Sequence, residues 1–331
     1  MAKSTDKKSW QKGTFAIYTL GCKVNQEESA ALAMIFTNGG YQQRDFKEKA
    51  DIYIINTCTV THLADRKARG MIRRAIKSNQ QALVIVTGCY AQTAPEEIAV
   101  LQGVDLIVGV DERSDLLALA EKELAKKAVN GENQQDIKIM VGDILQPHAF
   151  VPLPAVESQK RTRAYLKIED GCDQFCHYCV IPYARGPVRS LPLAEAVARA
   201  EKLFSSGHRE LVLTGIHVGA YGQDLPGKVD LLLLLQKLLA LPFAGRIHLG
   251  SVEPHQFNRP LLELLASSQR ICRHLHIPLQ AGSDRTLAAM GRTYTCGEYQ
   301  QLVDDLRSLL PGIAISSDVM VGYPGESAED F

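Results

Sequence analysis

Ala164-Tyr165-Leu166-Lys167-Ile168-Glu169-Asp170-Gly171-Cys172-Asp173-Gln174-Phe175-Cys176-His177-Tyr178-Cys179 runs from a strand-like segment into three thiols at offsets of four and seven. The apolar residues of 164–168 predict a buried strand, and the loop after it presents three thiolates to one point. Three cysteines suit a four-iron cluster, which normally takes four, and leave one iron for a ligand from outside the protein. A zinc site completed by His177 or a distant thiol is the alternative. Zinc loops usually pair two short cysteine spacings, and this chain has no second pair.

That strand opens a series. Strands are predicted near 163–168, 210–214, 246–250, 273–277 and 313–319, with helices between them at about 192–206, 231–240, 258–268, 283–290 and 297–309. Repeated units of this length predict a partial (β/α) barrel over 161–331, with its site at the C-terminal ends of the strands. Thr214 and Gly215 then follow the second strand, Ser251 and Glu253 the third, Gln280 and Ser283 the fourth. All are candidates for cofactor binding, and each alone also reads as a cap or loop residue. Arg185 and Arg189 read as substrate-facing or as salt-bridged. Cys272 and Cys296 fit no spacing and are expected to have no role.

The first half shows the same alternation. Strands are predicted at Phe15–Leu20, Asp51–Ile55, Ala82–Val86 and Val104–Val108, and helices at Glu27–Phe36, Ala64–Lys77, after Pro95 and at Asp115–Lys127. Short buried strands alternating with helices predict an α/β domain over 14–128 with a doubly wound parallel sheet. A polar tail, 1–13, precedes it, and a Gly/Pro-punctuated linker over 129–160 follows, with one strand at Ile137–Val141. Cys22, Cys58 and Cys89 each lie just beyond one of the first three strands. The ends of parallel strands share one rim, so three distant thiols are delivered to one edge. Three separate buried thiols are the plainer reading. Arg66, Lys67, Arg69, Arg73, Arg74 and Lys77 load one helix with positive charge, either as a solvated face or as a face for RNA phosphates.

With 331 residues, 46% hydrophobic and 22% charged, the composition is that of a globular protein of two domains. Lys+Arg and Asp+Glu both number 37, so net charge argues for no partner, although a local basic face remains open. No apolar run approaches the roughly eighteen residues of a membrane helix. The N-terminus lacks a signal-peptide core, so the eight cysteines read as reduced and ligand-bearing, with the cytoplasm as the expected compartment.

The cysteine loop resembles the signature of the radical S-adenosylmethionine superfamily. The stretch Glu169-Asp170-Gly171-Cys172 through Ile181-Pro182-Tyr183-Ala184-Arg185-Gly186 is similar to its methylthiotransferase branch. Gly21-Cys22-Lys23-Val24-Asn25-Gln26, Asn56-Thr57-Cys58-Thr59-Val60-Thr61 and Thr87-Gly88-Cys89-Tyr90-Ala91-Gln92 resemble the three N-terminal blocks of that family. Their wording is nearest the group acting on threonylcarbamoyladenosine in tRNA, rather than on isopentenyladenosine tRNA or a ribosomal protein side chain. The resemblance implies two [4Fe-4S] clusters, one on Cys172, Cys176 and Cys179 and one on Cys22, Cys58 and Cys89. No catalytic side chains are implied beyond the clusters. It further implies S-adenosyl-L-methionine with Tyr178 packing its adenine, a tRNA with an ANN-decoding anticodon, and a flavodoxin or ferredoxin as electron donor. Arg73 and Arg74, with Arg185 and Arg189, are the substrate-side candidates. The family continues beyond a core of this length with further barrel elements and an RNA-binding TRAM domain, so those parts and their tRNA affinity are expected to be missing from 1–331. A non-catalytic iron–sulfur or zinc RNA-binding module is the competitor outside enzymes.

Overall fold

Period-two burial builds the first unit. In Ile52–Thr57 every residue is buried, with Ile52 and Ile54 in one apolar layer and Tyr53 and Ile55 in the other. Leu83–Gly88 repeats this, with Leu83 and Ile85 opposite Val84 and Val86. Strands buried on both faces require a parallel sheet covered by helices on each side.

The computed structural model describes residues 12–130, 136–146, 148–154 and 162–331. The chain divides between Ile144 and Leu145 into two units. The first contains β1 (Gly13–Thr19), α1 (Lys23–Asn38), β2 (Tyr41–Arg44), β3 (Ile52–Thr57), α2 (His62–Ser78), β4 (Leu83–Gly88), α3 (Cys89–Thr93), α4 (Pro95–Ala99), β5 (Leu106–Val108), α5 (Leu116–Asn130) and β6 (Lys138–Met140). All strands are parallel, in the order β2-β1-β3-β4-β5-β6. α1 and α5 supply Leu32, Phe36, Leu116 and Ala120 to one face, while α2 and α4 supply Ala68, Ile72, Ala75 and Ile98 to the other. Fully burying one such large aliphatic side chain contributes about 1.5–3 kcal/mol.

Two differences from the sequence reading have physical causes. β2 is Tyr-Gln-Gln-Arg with only Tyr41 buried, an edge strand held by pairing rather than by apolar content. At the connection expected over 129–160, α5 runs on to Asn130, and the strand expected at Ile137–Val141 forms as β6 and joins the first sheet in register with β5. Residues 1–11 of the expected tail, with Gly131 and Pro147 of the expected linker, lie outside the described residues.

The second unit contains β7 (Arg163–Lys167), β8 (Glu169–Asp170), α6 (Ile181–Arg185), β9 (Arg189–Ser190), α7 (Leu193–Ser205), β10 (Glu210–Thr214), α8 (Leu231–Leu239), β11 (Arg246–Leu249), α9 (Arg259–Ser267), β12 (His274–His276), α10 (Asp284–Ala289), α11 (Cys296–Leu309) and β13 (Ala314–Ser316). β10 lies between β7 and β11, bridges at Ile247–Ile271 and Ser251–His276 tie β11 to the β12 segment, and β12 pairs with β13. Chain order and spatial order therefore coincide, as in part of a (β/α) barrel. Ala164, Leu166, Leu211, Leu213, Ile247 and Leu249 share the core with the helices, so alternate residues of the same strands face the other way, into the lumen.

Candidate functional site

In the first unit the register fixes where three cysteines stand. β3 lies between β1 and β4, with Thr19 beside Asn56 and Thr57 beside Gly88. Cys58 and Cys89 are the residues that follow this last pair. Cys22 reaches the same rim, because a Cβ built on Gly21 would lie 2.9 Å from the Cβ of Cys58. Asn25 ties the edge together. Its Nδ2 donates to Leu20 O at 2.9 Å and Thr57 O at 2.8 Å, while its Oδ1 accepts from the Cys22 thiol at 3.5 Å. Gly88, at φ 93°, sits where a side chain would strike the Thr57 carbonyl. Cys22 is the N-cap of α1 and is exposed, whereas Cys58 and Cys89 are buried. The open amides at the start of α1 favour negative charge at this rim.

In the second unit Cys172, Cys176 and Cys179 lie on the loop from β8 to α6. Cys172 N donates to Gly186 O at 2.9 Å, and Cys179 N to Cys176 O at 2.8 Å. Gly171 has φ 88°, and a Cβ there would collide with the Pro187 carbonyl. The loop can therefore close only on glycine. His177 pins it to the start of the α10–α11 connection: its backbone N donates to Met290 O at 3.0 Å, and its Nδ1 lies 2.8 Å from Ala289 O. Its Nδ1 is therefore spent on the chain, which leaves Nε2 as the ring's remaining donor atom. No three cysteines among the described residues have sulfurs mutually within 4.8 Å. Thiolates on one zinc ion would lie about 3.8 Å apart for zinc–sulfur bonds near 2.3 Å. Three thiols on one short loop, as at Cys172, Cys176 and Cys179, are a donor set for a four-iron cluster with one iron left to another ligand.

Burial pushes the Cys172 thiol up to about 12 and raises Cys179 as well, so both lose their protons only against metal charge. Arg292 brings such charge close. Its Nη1 lies 3.2 Å from the Cys176 sulfur, and the same guanidinium pairs with Glu253 and lies over the Tyr294 ring. Burial opposes its charge, but Glu253, Tyr294 and the Cys176 sulfur outweigh that and hold its pKa above the ordinary value. Beside Cys172 is His217, with Nδ1 3.8 Å from the sulfur and Nε2 2.6 Å from Gln256 Nε2. Burial, then His255 and Arg292, lower His217 to about 4, so it is neutral at pH 7. Glu169 is fully buried, and its Oε2 accepts from Ile216 N at 2.8 Å and His217 N at 2.7 Å. Burial raises its pKa well above the carboxylate range.

Other expected positions fall out unevenly. Tyr178 is half-buried against the cluster of Leu287, Met290 and Tyr294. Thr214 is buried, and the room at Gly215 is taken by Glu169, whose Oε2 would lie 2.6 Å from an added Cβ. Ser251 Oγ lies 2.8 Å from His276 Nδ1. Ser283 caps α10, and Gln280 holds φ 70° with its backbone paired to Asp318 and Met320. For Arg185 and Arg189 the geometry favours the paired reading over the substrate-facing one. Arg185 is wholly buried with Nη1 3.3 Å from Asp170, and Arg189 donates to the Arg185 carbonyl at 2.6 Å. Their charges answer Asp170 and the chain, and they close the loop. Arg73 and Arg74 are exposed on α2, as are Arg66, Lys67 and Lys77, while Arg69 instead donates to Tyr90 Oη at 2.6 Å. Sequence reasoning missed Arg292, Glu169 and His217. The signal for Glu169 was present, a carboxylate directly after an apolar strand and before the cysteine loop.

Residues 14–109 match the model of Uncharacterized protein family UPF0004, and residues 166–331 match the Radical SAM superfamily. The chain is 41% identical over 319 residues to the threonylcarbamoyladenosine tRNA methylthiotransferase MtaB of Bacillus subtilis (strain 168), covering 96% of this chain and 69% of that one. It is 36% identical to the tRNA-2-methylthio-N(6)-dimethylallyladenosine synthase of Dictyoglomus thermophilum, covering 96% and 70%. In fold it is similar to the radical S-adenosylmethionine methyltransferase TsrM of Kitasatospora setae, with TM-score 0.65 and 17% identity over 96% of this chain and 69% of that one.

Proposed function

This chain belongs to the radical S-adenosylmethionine methylthiotransferases, and from that premise we propose that it methylthiolates C2 of N6-threonylcarbamoyladenosine beside the anticodon of tRNA. The observation that carries this reading is the delivery of Cys22, Cys58 and Cys89 to one rim by three adjacent strands. A radical-forming cluster alone needs only Cys172, Cys176 and Cys179; a sulfur-inserting enzyme needs a second centre. The substrate is read from the first-cysteine block Gly21-Cys22-Lys23-Val24-Asn25-Gln26 and from the relative named for threonylcarbamoyladenosine. Such a substrate places the enzyme in the cytoplasm, with a flavodoxin or ferredoxin as electron donor.

Cys172, Cys176 and Cys179 would hold a cluster able to supply the electron that cleaves S-adenosylmethionine, and Cys22, Cys58 and Cys89 would hold one able to supply sulfur, chemistry beyond side-chain acids and bases. The chain's own residues set the conditions. Gly171, Asp170 and Arg185 hold the loop closed. Arg292 places positive charge at the Cys176 sulfur, while neutral His217 adds none beside Cys172. Asn25 and Gly88 keep the first-unit thiols together. Tyr178 and the C-terminal strand ends are the expected seat of the cofactor's adenosine. An anticodon loop suits such an enzyme, because proteins read unstacked bases of RNA loops.

The test pairs composition with product. Anaerobic reconstitution is expected to give about eight irons per chain, falling to about four when Cys22, Cys58 and Cys89 are all changed to Ala. Nucleoside mass analysis of tRNA treated with the protein should show methylthio-threonylcarbamoyladenosine. Four irons unaffected by the triple change would remove the second centre. Product on isopentenyladenosine alone would reassign the substrate.

A further inference from the structure

Cys272, expected to be idle, stands in the barrel lumen with two other ligand-bearing side chains. Glu210 begins β10, His248 lies within β11, and Cys272 precedes β12, and their ligand atoms all lie within 4.8 Å of one another. Glu210 and Cys272 sit at or before the starts of their strands, whereas the Cys172–Cys179 loop follows the far ends. The group is therefore separate from the site already described.

We propose that Glu210, His248 and Cys272 bind a divalent transition-metal ion, zinc by its chemistry, which staples β10, β11 and the β12 segment from inside the barrel. Donor types carry the first part of the argument: one carboxylate, one imidazole and one thiolate are the ligands zinc takes. The carboxylate and thiolate together neutralise the ion, and the imidazole stays neutral. Glu210 Oε1 lies 3.3 Å from His248 Nδ1. For zinc bonds of about 2.0 Å, two tetrahedral ligands lie about 3.3 Å apart, so this edge is already at bonding size. Arg246 Nη2 takes the other carboxylate oxygen, Oε2, at 3.0 Å, which leaves Oε1 for the ion.

The backbone holds the three residues in place. Glu210 is in register with Arg246, and Cys272 N donates to Ile247 O at 2.8 Å. The imidazole is oriented from behind. His248 Nε2 lies 2.9 Å from His274 Nδ1, and His274 Nε2 lies 3.0 Å from Ser316 Oγ. This chain is satisfied in two directions. Without metal, Ser316 donates to His274, His274 to His248, and His248 Nδ1–H to Glu210. With metal on Nδ1, all three protons shift, so that His248 Nε2–H donates to His274 and His274 Nε2–H to Ser316. Metal-bound histidines commonly donate their second N–H in this way. Binding releases the Cys272 thiol proton to solvent. All three ligands are part-exposed, which gives the ion a way in and water the fourth position.

The test uses the protein with its clusters reconstituted, so that their cysteines are occupied by iron. After dialysis against zinc sulfate and then buffer, about one zinc per chain is expected. Zinc-edge X-ray absorption should show one sulfur among nitrogen and oxygen neighbours. Cys272→Ala and Glu210→Gln should each abolish that equivalent while iron and sulfide per chain stay unchanged. His274→Gln, which touches no metal, should weaken zinc binding about ten- to hundredfold. No retained zinc, zinc insensitive to both ligand changes, or an edge spectrum dominated by sulfur would each overturn the assignment. If Cys272→Ala disturbs folding, as reported by lost iron, Glu210→Gln decides alone.

Discussion

Arg292 concentrates the chemistry of the second unit in one side chain. Its guanidinium is nearly fully buried and touches Cys176 Sγ, Glu253 and Tyr294 at once. Positive charge and hydrogen bonding at a cluster sulfur favour the reduced cluster, so they raise its potential. Arg292→Met is therefore expected to make the radical-forming cluster harder to reduce and to slow S-adenosylmethionine cleavage. It should also lower stability, because the mostly buried Glu253 loses its partner. These two effects can be separated. Adding Glu253→Gln to Arg292→Met should restore most of the stability and leave the potential low, as read by a redox titration followed by electron paramagnetic resonance. A potential equal to wild type in both variants would reduce Arg292 to a packing residue.

The elements are held by pairs that lie far apart in sequence. Glu28 on α1 and Arg113, in the turn before α5, form an ion pair whose side chains are 0% and 4% exposed. Arg113 Nε also donates to Val110 O at 2.5 Å. Two charges hidden this well hold each other hostage: losing one partner costs about 3–5 kcal/mol, while losing both can cost little. Arg113→Met should lower the unfolding free energy by that amount, as read from a denaturant titration, and Glu28→Leu with Arg113→Met should recover most of it. Additive losses in the double variant would show that packing, not charge pairing, governs the turn. This pair was invisible in the sequence for the same reason that Arg292 was, since its partner Cys176 lies 116 residues away. What the sequence made legible was local or periodic. The spacing of Cys172, Cys176 and Cys179 and the apolar runs of β3 and β4 could be read directly. The rim of Cys22, Cys58 and Cys89 followed because strand ends in a parallel sheet must coincide. β2 escaped because its residues are polar, and the Glu210–His248–Cys272 group because three different strands supply it with no shared spacing.

At the scale of the molecule, charge is balanced, with 37 basic and 37 acidic residues, so any pull on RNA must come from a local face. α2 offers one. Ala68, Ile72 and Ala75 are buried against the sheet, leaving Arg66, Lys67, Arg73, Arg74 and Lys77 exposed on the other side. Arg69 is turned away, spent on Tyr90 and Glu97. If this face meets tRNA phosphates, affinity must fall with salt, and each lost contact must flatten that dependence. The slope of log K against log salt changes by about 0.9 per phosphate in a duplex and about 0.7 in a single strand. Changing Arg66, Arg73 and Arg74 together to Gln is therefore expected to reduce the slope for tRNA binding by about two to three, with iron per chain unchanged. Arg69→Gln should leave the slope near wild type while lowering stability, because it removes the bond to Tyr90. The comparison makes the measurement specific: equal slopes in all three proteins would return α2 to a solvated face, whereas a drop confined to the triple variant places phosphate on it.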